Sequence, residues 1–456
     1  MLPPVPSLED YGISPEHGFL SPESPLEVLP DPYYAKWEAI AANLQPLLLS
    51  KRLRGLVDRL PVLSTAHLQT DAEWRRAYVV LVFMLHGYVW GGDRPAERIP
   101  PQLTVPLFQV CERLEVPPVA TYAGVCLWNY KPIFPDEPAD DLDNLACLQT
   151  FTGSLDEQWF YLVSVAIEAR GAPTIPLMLQ AMTAARVGKI RVRMYDNCDP
   201  YIFYNRIRPY LAGSKNMADA GLPKGLLYDD GRNPPVYRQY GGGSNAQSSL
   251  IQFFDIVLGI EHRPTGVGRN ASDESKSRNS FIHDMRGYMP GPHRRFLEDI
   301  DSIANIRAFV EAHRADPALR LAYDACLSML RDMRDKHIQI VSRYIIIQSR
   351  GARASSHSAG SDHLSPTNLA TAVPKDKKKL RGTGGTALIP FLKQARDETG
   401  EPAIDAWARR LLSNSPGLAA SASLSKVGEH PDGHLEVVGL CGTWTADDSE
   451  GGICHW

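Results

Sequence analysis

The strongest constraint on the fold is a long amphipathic segment, Leu319 to Gln348, in which apolar side chains recur every three or four residues. The repeating positions are Tyr323, Cys326, Leu330, Met333, Ile340, Val341 and Tyr344. This spacing predicts a helix with one face against an apolar interior. His337 falls on that face, four residues after Met333 and four before Val341. Its imidazole is therefore predicted to point into the interior.

Helical spacing recurs along most of the chain, whereas the alternation typical of strands is scarce. Helical patterns cover residues 33–60, 71–88, 102–114, 154–169, 175–187, 200–212, 247–260, 293–313 and 318–347. The sequence thus predicts an all-α protein. The pair Pro117-Pro118 interrupts the pattern and predicts a boundary between a small helical N-terminal domain with an extended proline-rich arm (1–116) and a large helical domain (117–400). Within the large domain, residues 350–380 are Ser- and Lys-rich and are predicted to be a mobile insertion. The C-terminal extension, 401–456, has no predicted role.

Composition excludes several classes of protein. The charge is −4, from 48 basic and 52 acidic residues, which gives no positive field for nucleic acid. The seven cysteines are scattered and form no C-x-x-C pair, as expected for the reducing cytoplasm. The longest apolar stretch, Ala77 to Trp90, has 14 residues, includes His86 and is too short to span a membrane. We therefore expect a cytoplasmic protein that binds neither nucleic acid nor membrane.

The histidines allow three interpretations: His337 is a core residue, His337 is a haem ligand, or the tail histidines bind zinc. A lone histidine in an apolar helix face is typical of a core residue bonded to a backbone carbonyl, but it also suits the single axial ligand of haem iron. Arg334, one turn before His337, has the chemistry to meet a haem propionate. The tail offers a rival zinc site with irregular spacing, formed by His430, His434, Cys441, Cys454 and His455.

Five blocks of sequence, in the same order along the chain, resemble the indoleamine 2,3-dioxygenase family, and the chain looks like a fungal member of it. The blocks are 160–164 (FYLVS), 242–260 (GGSNAQSS followed by FDIVLGI), 284–290 (DMRGYMP), 334–345 (RDKHIQIVSRYI) and 382–386 (GTGGT). The resemblance extends from about Gly12 to Lys393. It implies that the large domain binds haem and that His337 is the proximal iron ligand.

The resemblance also implies an activity. Members of this family use haem b, ferrous when active, to insert both atoms of O2 across the indole C2–C3 bond of L-tryptophan, giving N-formylkynurenine. This is tryptophan catabolism through the kynurenine pathway towards NAD. The implied partners are L-tryptophan, O2 and an electron donor that keeps the haem ferrous, and we expect a monomer. No side chain is expected to act as a catalytic acid or base. A peroxidase is less compatible, because the distal blocks lack a histidine with a partner arginine.

The resemblance carries over to particular residues. The implied substrate-binding residues are Tyr122, Phe160, Ser164, Phe203, Arg208, Ser244 and Thr383, and the implied haem-binding residues are Gly243, Ser244 and Arg334. Thr383 belongs to a predicted lid loop, 381–387. Arg206 and Arg208 point about 200° apart on a helix, so only one of them can face the site. The resemblance implies that Arg208 is the carboxylate ligand.

Three departures from the family pattern leave a second hypothesis open. Tyr204 and Asn245 replace a phenylalanine and an alanine of better-known members, and Pro209 disfavours helix at Arg208. They prompt the alternative of a weakly active or non-catalytic haem-binding paralogue that acts as a sensor or interaction protein. The shared retention of the substrate-binding residues favours the enzyme.

Overall fold

The computed structural model describes residues 6–135, 137, 140–181, 198–215, 217–265, 280–348 and 388–413, with three short segments at 427–429, 435–439 and 442–445. The chain divides into two compact units, Met1–Ser413 and Asn414–Trp456. The predicted mobile insertion, the predicted lid loop with Thr383 and the five possible zinc ligands of the tail lie outside the described residues.

The larger unit is built from helices, which confirms the all-α prediction. The described α-helices are α1 (Ala35–Ala42), α2 (Leu44–Leu49), α3 (Leu53–Val57), α4 (Asp71–Trp90), α5 (Pro101–Leu114), α6 (Leu155–Gly171), α7 (Thr174–Ala181), α8 (Pro200–Ile202), α9 (Ser249–Val257), α10 (Ser280–Arg286), α11 (Gly291–Ile303), α12 (Ile306–Ala312), α13 (Pro317–Val341), α14 (Leu388–Thr399) and α15 (Ala406–Ser413). Three π-helical turns occur at Ala123–Leu127, Phe203–Ile207 and Ser342–Ile347.

The strands of this unit have only two or three residues each. A three-stranded sheet has the order β1-β4-β5, and β2 pairs with β3. The strands are β1 (Arg98–Ile99), β2 (Tyr130–Pro132), β3 (Leu145–Cys147), β4 (Leu226–Tyr228) and β5 (Val236–Arg238). The smaller unit contains an antiparallel sheet, β6 (Val427–Glu429), β7 (Leu435–Gly439) and β8 (Gly442–Thr445), in that order.

Three predicted helices are interrupted. The predicted helix 293–313 is divided into α11 and α12, and the other two have a local backbone cause. The predicted helix 33–60 is divided into α1, α2 and α3, with Lys51 in the left-handed region at φ 56° between α2 and α3. The predicted helix 200–212 is a turn of α-helix, then the π turn, then a 3-10 turn, Arg208–Leu211, with Pro209 near its start. Proline has no backbone N–H to continue an α-helical ladder, so the change of helix type at Arg208 has a local cause.

Helix α4 is the centre of the larger unit. Thr70 and Glu73 form a reciprocal capping box at its start, which satisfies two backbone donors. From Ala77 to Val89 it is buried on all sides. Its uninterrupted apolar composition is thus explained by burial in protein, since an all-round apolar helix must be covered everywhere. No helix in the described part of the chain is long and apolar enough to cross a membrane.

Two apolar cores share the walls of one cavity. The first core contains buried residues of α4, α5 and α6, and the second contains those of α9, α11 and the first half of α13. Ile167 of α6 packs against both. The first core includes side chains from both sides of the predicted boundary at 116/117. The division into small and large domains at 116/117 and 400/401 stays a prediction.

Candidate functional site

The cavity has a volume of about 280 Å³, counted as the space that the centre of a water molecule can occupy. Helices α6, α9, α10, α13 and α14 contribute to its walls, together with the π turns and the glycine loop that precedes α9. Its surface is mainly apolar. The polar side chains in its lining are Tyr122, Ser164, Arg208, Ser244, Asn245, Ser248, Gln252, Asp255, His262, Arg334, His337 and Tyr344. An apolar hollow with few polar groups is typical of a ligand site.

His337 lies in the wall that α13 provides. Burial, and secondarily the charge of Arg334, lowers the pKa of His337 to about 4, so the imidazole is neutral near pH 7. Its side chain is only partly buried because it borders the cavity. Within the described residues nothing hydrogen-bonds to the ring. A neutral imidazole with an available lone pair is the form that binds a metal.

The facing helix α6 presents one row of residues to the cavity. Phe160, Ser164 and Ile167 all line it, as their spacing along one helix face requires. The rings of Phe160 and Phe203 are 4.7 Å apart between centroids, inclined at 48°. Phe203 also meets Tyr344 edge-on at 5.7 Å. These rings form an aromatic wall that suits a flat apolar ligand.

Arg208 is a buried cation in the cavity wall. It lies where the π turn passes into the 3-10 turn, and its side chain lines the cavity, whereas Arg206 is exposed. Burial lowers the pKa of Arg208, although a guanidinium stays charged in proteins. The guanidinium carbon lies 5.6 Å from the centre of the Tyr204 ring. Tyr204 is buried behind Arg208 and is not among the lining residues.

Two neighbouring glycines in the loop before α9, Gly242 and Gly243, have different surroundings. A Cβ at Gly242 would lie 2.0 Å from the Leu211 carbonyl oxygen, so the backbone of residues 211–213 leaves room only for glycine there. Gly243 is less crowded and borders the cavity itself. Ser244 also borders the cavity, and its hydroxyl accepts a hydrogen bond from the Ala246 backbone at 3.3 Å.

Arg334 has partners that sequence reasoning did not assign. Its Nη2 donates to both Asp255 oxygens at 2.7 Å, and Nη1 donates to Thr399 Oγ1. The side chain lines the cavity one turn before His337, as the helix predicts. A haem propionate at Arg334 would have to share the guanidinium with Asp255. The contact between Arg334 and a propionate stays a prediction.

Glu168 contacts two cavity-lining residues and was not predicted from the sequence. It is 1% exposed, and its Oε1 accepts hydrogen bonds from Tyr122 Oη at 3.0 Å and Ser248 Oγ at 2.7 Å. Both donors line the cavity. Its Oε2 has no hydrogen-bond partner among the described residues. The available signal was its position four residues after Ser164 on the cavity face of α6.

We expect replacement of Glu168 by glutamine to stabilise the protein at alkaline pH. Burial raises the pKa of Glu168 from about 4.5 to about 7, against the hydrogen bonds from Ser248 and Tyr122. A carboxyl whose pKa is raised by folding favours the unfolded state once pH exceeds its unfolded pKa. Glu168→Gln cannot ionise, so its free energy of unfolding should exceed the wild-type value by about 1 to 3 kcal/mol near pH 8 and differ little near pH 5. Urea denaturation at both pH values measures the difference. Glu112→Gln, at an exposed site, should show no such pH dependence, and parallel profiles for wild type and Glu168→Gln would contradict the prediction.

His86 and His293 contact protein groups, and they and the described cysteines are interpreted as structural residues. Burial lowers the pKa of His86 to about 4, and this ring contacts the Tyr210 carbonyl at 2.6 Å and accepts from the Ala120 amide at 2.9 Å. His293 packs edge-on against Phe19 at 5.0 Å. The five cysteines in the described part of the chain are all free thiols. No group of three or more histidine, cysteine or acidic side chains there is arranged to hold a metal ion.

Comparison with known proteins gives one consistent result. The family model described as indoleamine 2,3-dioxygenase matches residues 7–402. The indoleamine 2,3-dioxygenase of Saccharomyces cerevisiae is 40% identical over 430 residues, covering 87% of this chain and 93% of its own. Proteins with the same enzyme name are 40% identical in Penicillium citrinum (86% and 88% covered) and 39% identical in Aspergillus nanangensis (88% and 98% covered). This chain belongs to the indoleamine 2,3-dioxygenase family.

Proposed function

We propose that this protein is a haem-dependent dioxygenase that cleaves the indole C2–C3 bond of L-tryptophan with O2 and yields N-formylkynurenine. One observation carries the proposal. A single apolar cavity presents a neutral histidine on one wall and a buried arginine on another, with aromatic rings beside them. These are the groups needed to bind haem iron and an aromatic amino acid in one space.

The described residues fit haem b. His337 would supply the iron ligand, because it is neutral, faces the cavity and has no hydrogen bond to its ring within the described residues. Arg334 would meet a propionate in addition to Asp255, and the backbone of Gly243 and Ser244 would lie near the haem edge. When bound in the ferrous state, haem supplies the binding and activation of dioxygen.

The chain's own residues would bind and orient the substrate. Arg208 would pair with the tryptophan carboxylate through two parallel hydrogen bonds. Phe160 and Phe203 would contact the indole, and Tyr122 and Ser164 would border its inner end. Ser244 and Thr383 are proposed to contact the ammonium group. The apolar walls would exclude water, which strengthens the ion pair at Arg208. No side chain is assigned as an acid or base.

The wider role follows from this reaction. The product places the protein in tryptophan catabolism, in the kynurenine pathway towards NAD, with an electron donor keeping the haem ferrous. The free thiols support the predicted cytoplasmic location. We propose a monomer.

The activity is tested by single-turnover oxidation of tryptophan. Haem-loaded protein is reduced without oxygen, mixed with L-tryptophan and then with air, and N-formylkynurenine is followed by its absorbance. We expect product only when tryptophan, ferrous haem and O2 are all present. The same protein with carbon monoxide on its haem is the control, since it should give none. Intact ferrous spectra without product at millimolar tryptophan would favour the non-catalytic haem-binding paralogue instead.

A further inference from the structure

Four polar side chains form a continuous hydrogen-bonded chain that begins in the cavity wall, where Arg334, Asp255 and His262 line the cavity, and ends at Glu398. Arg334 of α13 donates to Asp255 of α9 at 2.7 Å. Asp255 Oδ2 lies 3.1 Å from Nε2 of His262, and the other ring nitrogen, Nδ1, lies 2.7 Å from Glu398 Oε2 of α14. The side chains of Asp255, His262 and Glu398 are each less than a tenth exposed. Asp255 lies in the 242–260 block that carries the family resemblance but has no role assigned from it, and the sequence gives no signal for His262 or Glu398.

The geometry determines how many protons the His262 ring carries. A neutral imidazole has one N–H and one lone pair. With a carboxylate oxygen against each nitrogen, a neutral ring would set its lone pair against an acceptor. A ring with protons on both nitrogens instead donates to both carboxylates and balances the charge, since two carboxylates then face two cations, His262 and Arg334. Buried charges persist in proteins when they are paired in this way.

The surrounding charges agree with this assignment. Burial by itself would lower the pKa of His262, and Arg334 acts in the same direction, but Asp255 and Glu398 outweigh them and the pKa is raised. Arg263, the next residue, lies 3.5 Å from Glu398 Oε1 and pairs with Glu401. Glu261, on the other side, is largely exposed and pairs with Arg307. No other charged group borders His262 in the hydrogen bonds and ion pairs of the described residues.

We propose that His262 is a positioning residue whose two ring protons hold Asp255 against Arg334 and fasten α14 to the haem-binding wall. The inference deepens the proposed function, on which its haem readout rests. Leu388, Phe391, Leu392 and Ala395 of α14 line the same cavity, so the position of this helix shapes the site. When His262 loses a proton, two buried carboxylates are left to repel each other. The link between α9 and α14 then weakens, and Asp255 is held less firmly against Arg334.

The pH dependence has a definite sign. A histidine whose pKa is raised by folding contributes stability that is complete below its unfolded pKa and is lost as pH rises through the folded pKa. His262 therefore stabilises the site in neutral and acidic solution, and its contribution disappears at alkaline pH. We expect haem to dissociate faster as pH increases from about 6.5 to about 9.

Three variants separate this mechanism from simple packing. His262→Gln leaves an amide oxygen against one carboxylate and should release haem about tenfold faster near pH 6.5, with a flatter pH profile. Glu398→Gln lets a neutral imidazole satisfy both neighbours, by donating to Asp255 and accepting from the amide nitrogen that this substitution introduces. It should keep slow haem release up to about pH 9. In the double variant His262→Gln/Glu398→Gln, the amide at 262 can donate to Asp255 and accept from the amide at 398, as the neutral imidazole does in Glu398→Gln. The double variant should therefore restore slow haem release.

The experiment combines haem transfer with a direct view of the ring. Haem transfer to excess apomyoglobin gives the dissociation rates. Ring-¹⁵N histidine spectra of the ferrous carbon monoxide complex, assigned by the signal missing from His262→Gln, report the protons on His262. We expect both ring nitrogens to be protonated at neutral pH. One unprotonated nitrogen, or equal rates in the wild type and His262→Gln, would overturn the proposal, as would a double variant no better than His262→Gln. If the wild type took up no haem, the proposed function would fail, and the ring spectrum of the haem-free protein would still decide the proton count.

Discussion

Replacing His337 with alanine is expected to remove haem from the purified protein. The side chain is the neutral imidazole in the cavity wall, and no other histidine of the described residues combines this exposure to the cavity with a ring free of hydrogen bonds. Substitution of groups that merely orient a metal-binding histidine already costs about 10- to 100-fold in affinity. We expect loss of the ligand itself to weaken haem binding by more than about a hundredfold. Haem content and the Soret band measure the effect.

Two companion variants make the His337 result specific. His313→Ala removes an exposed histidine from the end of α12 and should leave haem content unchanged. His337→Gly leaves space for free imidazole, which should restore a histidine-like ferrous spectrum if the side chain acts as ligand. A normal five-coordinate spectrum in His337→Ala would show that the iron ligand lies elsewhere.

Replacing Arg208 with alanine is expected to abolish efficient tryptophan turnover while haem binding persists. Loss of one partner from a buried, hydrogen-bonded charge pair costs about 2 to 5 kcal/mol, which is about 30- to 5,000-fold in kcat/KM. Most of the loss should appear in KM, because the carboxylate does not react and is bound alike in ground and transition states. Steady-state kinetics with L-tryptophan, together with haem content, separates the two effects.

The neighbouring arginine provides a matched control for Arg208. Arg206 has the same chemistry two residues earlier but is exposed, so Arg206→Ala should keep kcat/KM within about twofold of the wild type. Arg208→Lys keeps the charge without the planar fork and should recover only part of the lost activity. Equal losses in Arg206→Ala and Arg208→Ala would argue against a carboxylate contact at Arg208.

Periodicity predicted α6, α9 and α13, three of the five described helices that line the cavity, but it did not predict α10 or α14. The spacing on α13 predicted that His337 faces the interior, and the four-residue interval between Phe160 and Ser164 within the predicted helix 154–169 is that of side chains on one face. Both predictions concern one helix at a time, where 3.6 residues per turn fix which side chains are neighbours. Proline chemistry likewise predicted a disturbed helix at Arg208, and the structure has a change of helix type there.

Contacts between segments distant in sequence could not be predicted in this way. His262 lies in a loop with no period, and Glu398 is 136 residues further along the chain. Asp255 and Arg334 are 79 residues apart. Gly242 could be predicted as a close approach, but not that its neighbour is the backbone of residues 211–213 rather than a ligand.

Local spacing and residue type are properties of the chain alone, and they were enough to predict the helical class, the family and the side chains whose chemistry suits haem and tryptophan. Which charged groups contact one another depends on the folded structure. It paired Arg334 with Asp255, enclosed His262 between two carboxylates, and buried Glu168 where ionisation is costly. Hydration, pairing and pKa depend on what surrounds a group in space, and that is settled only when distant segments pack together.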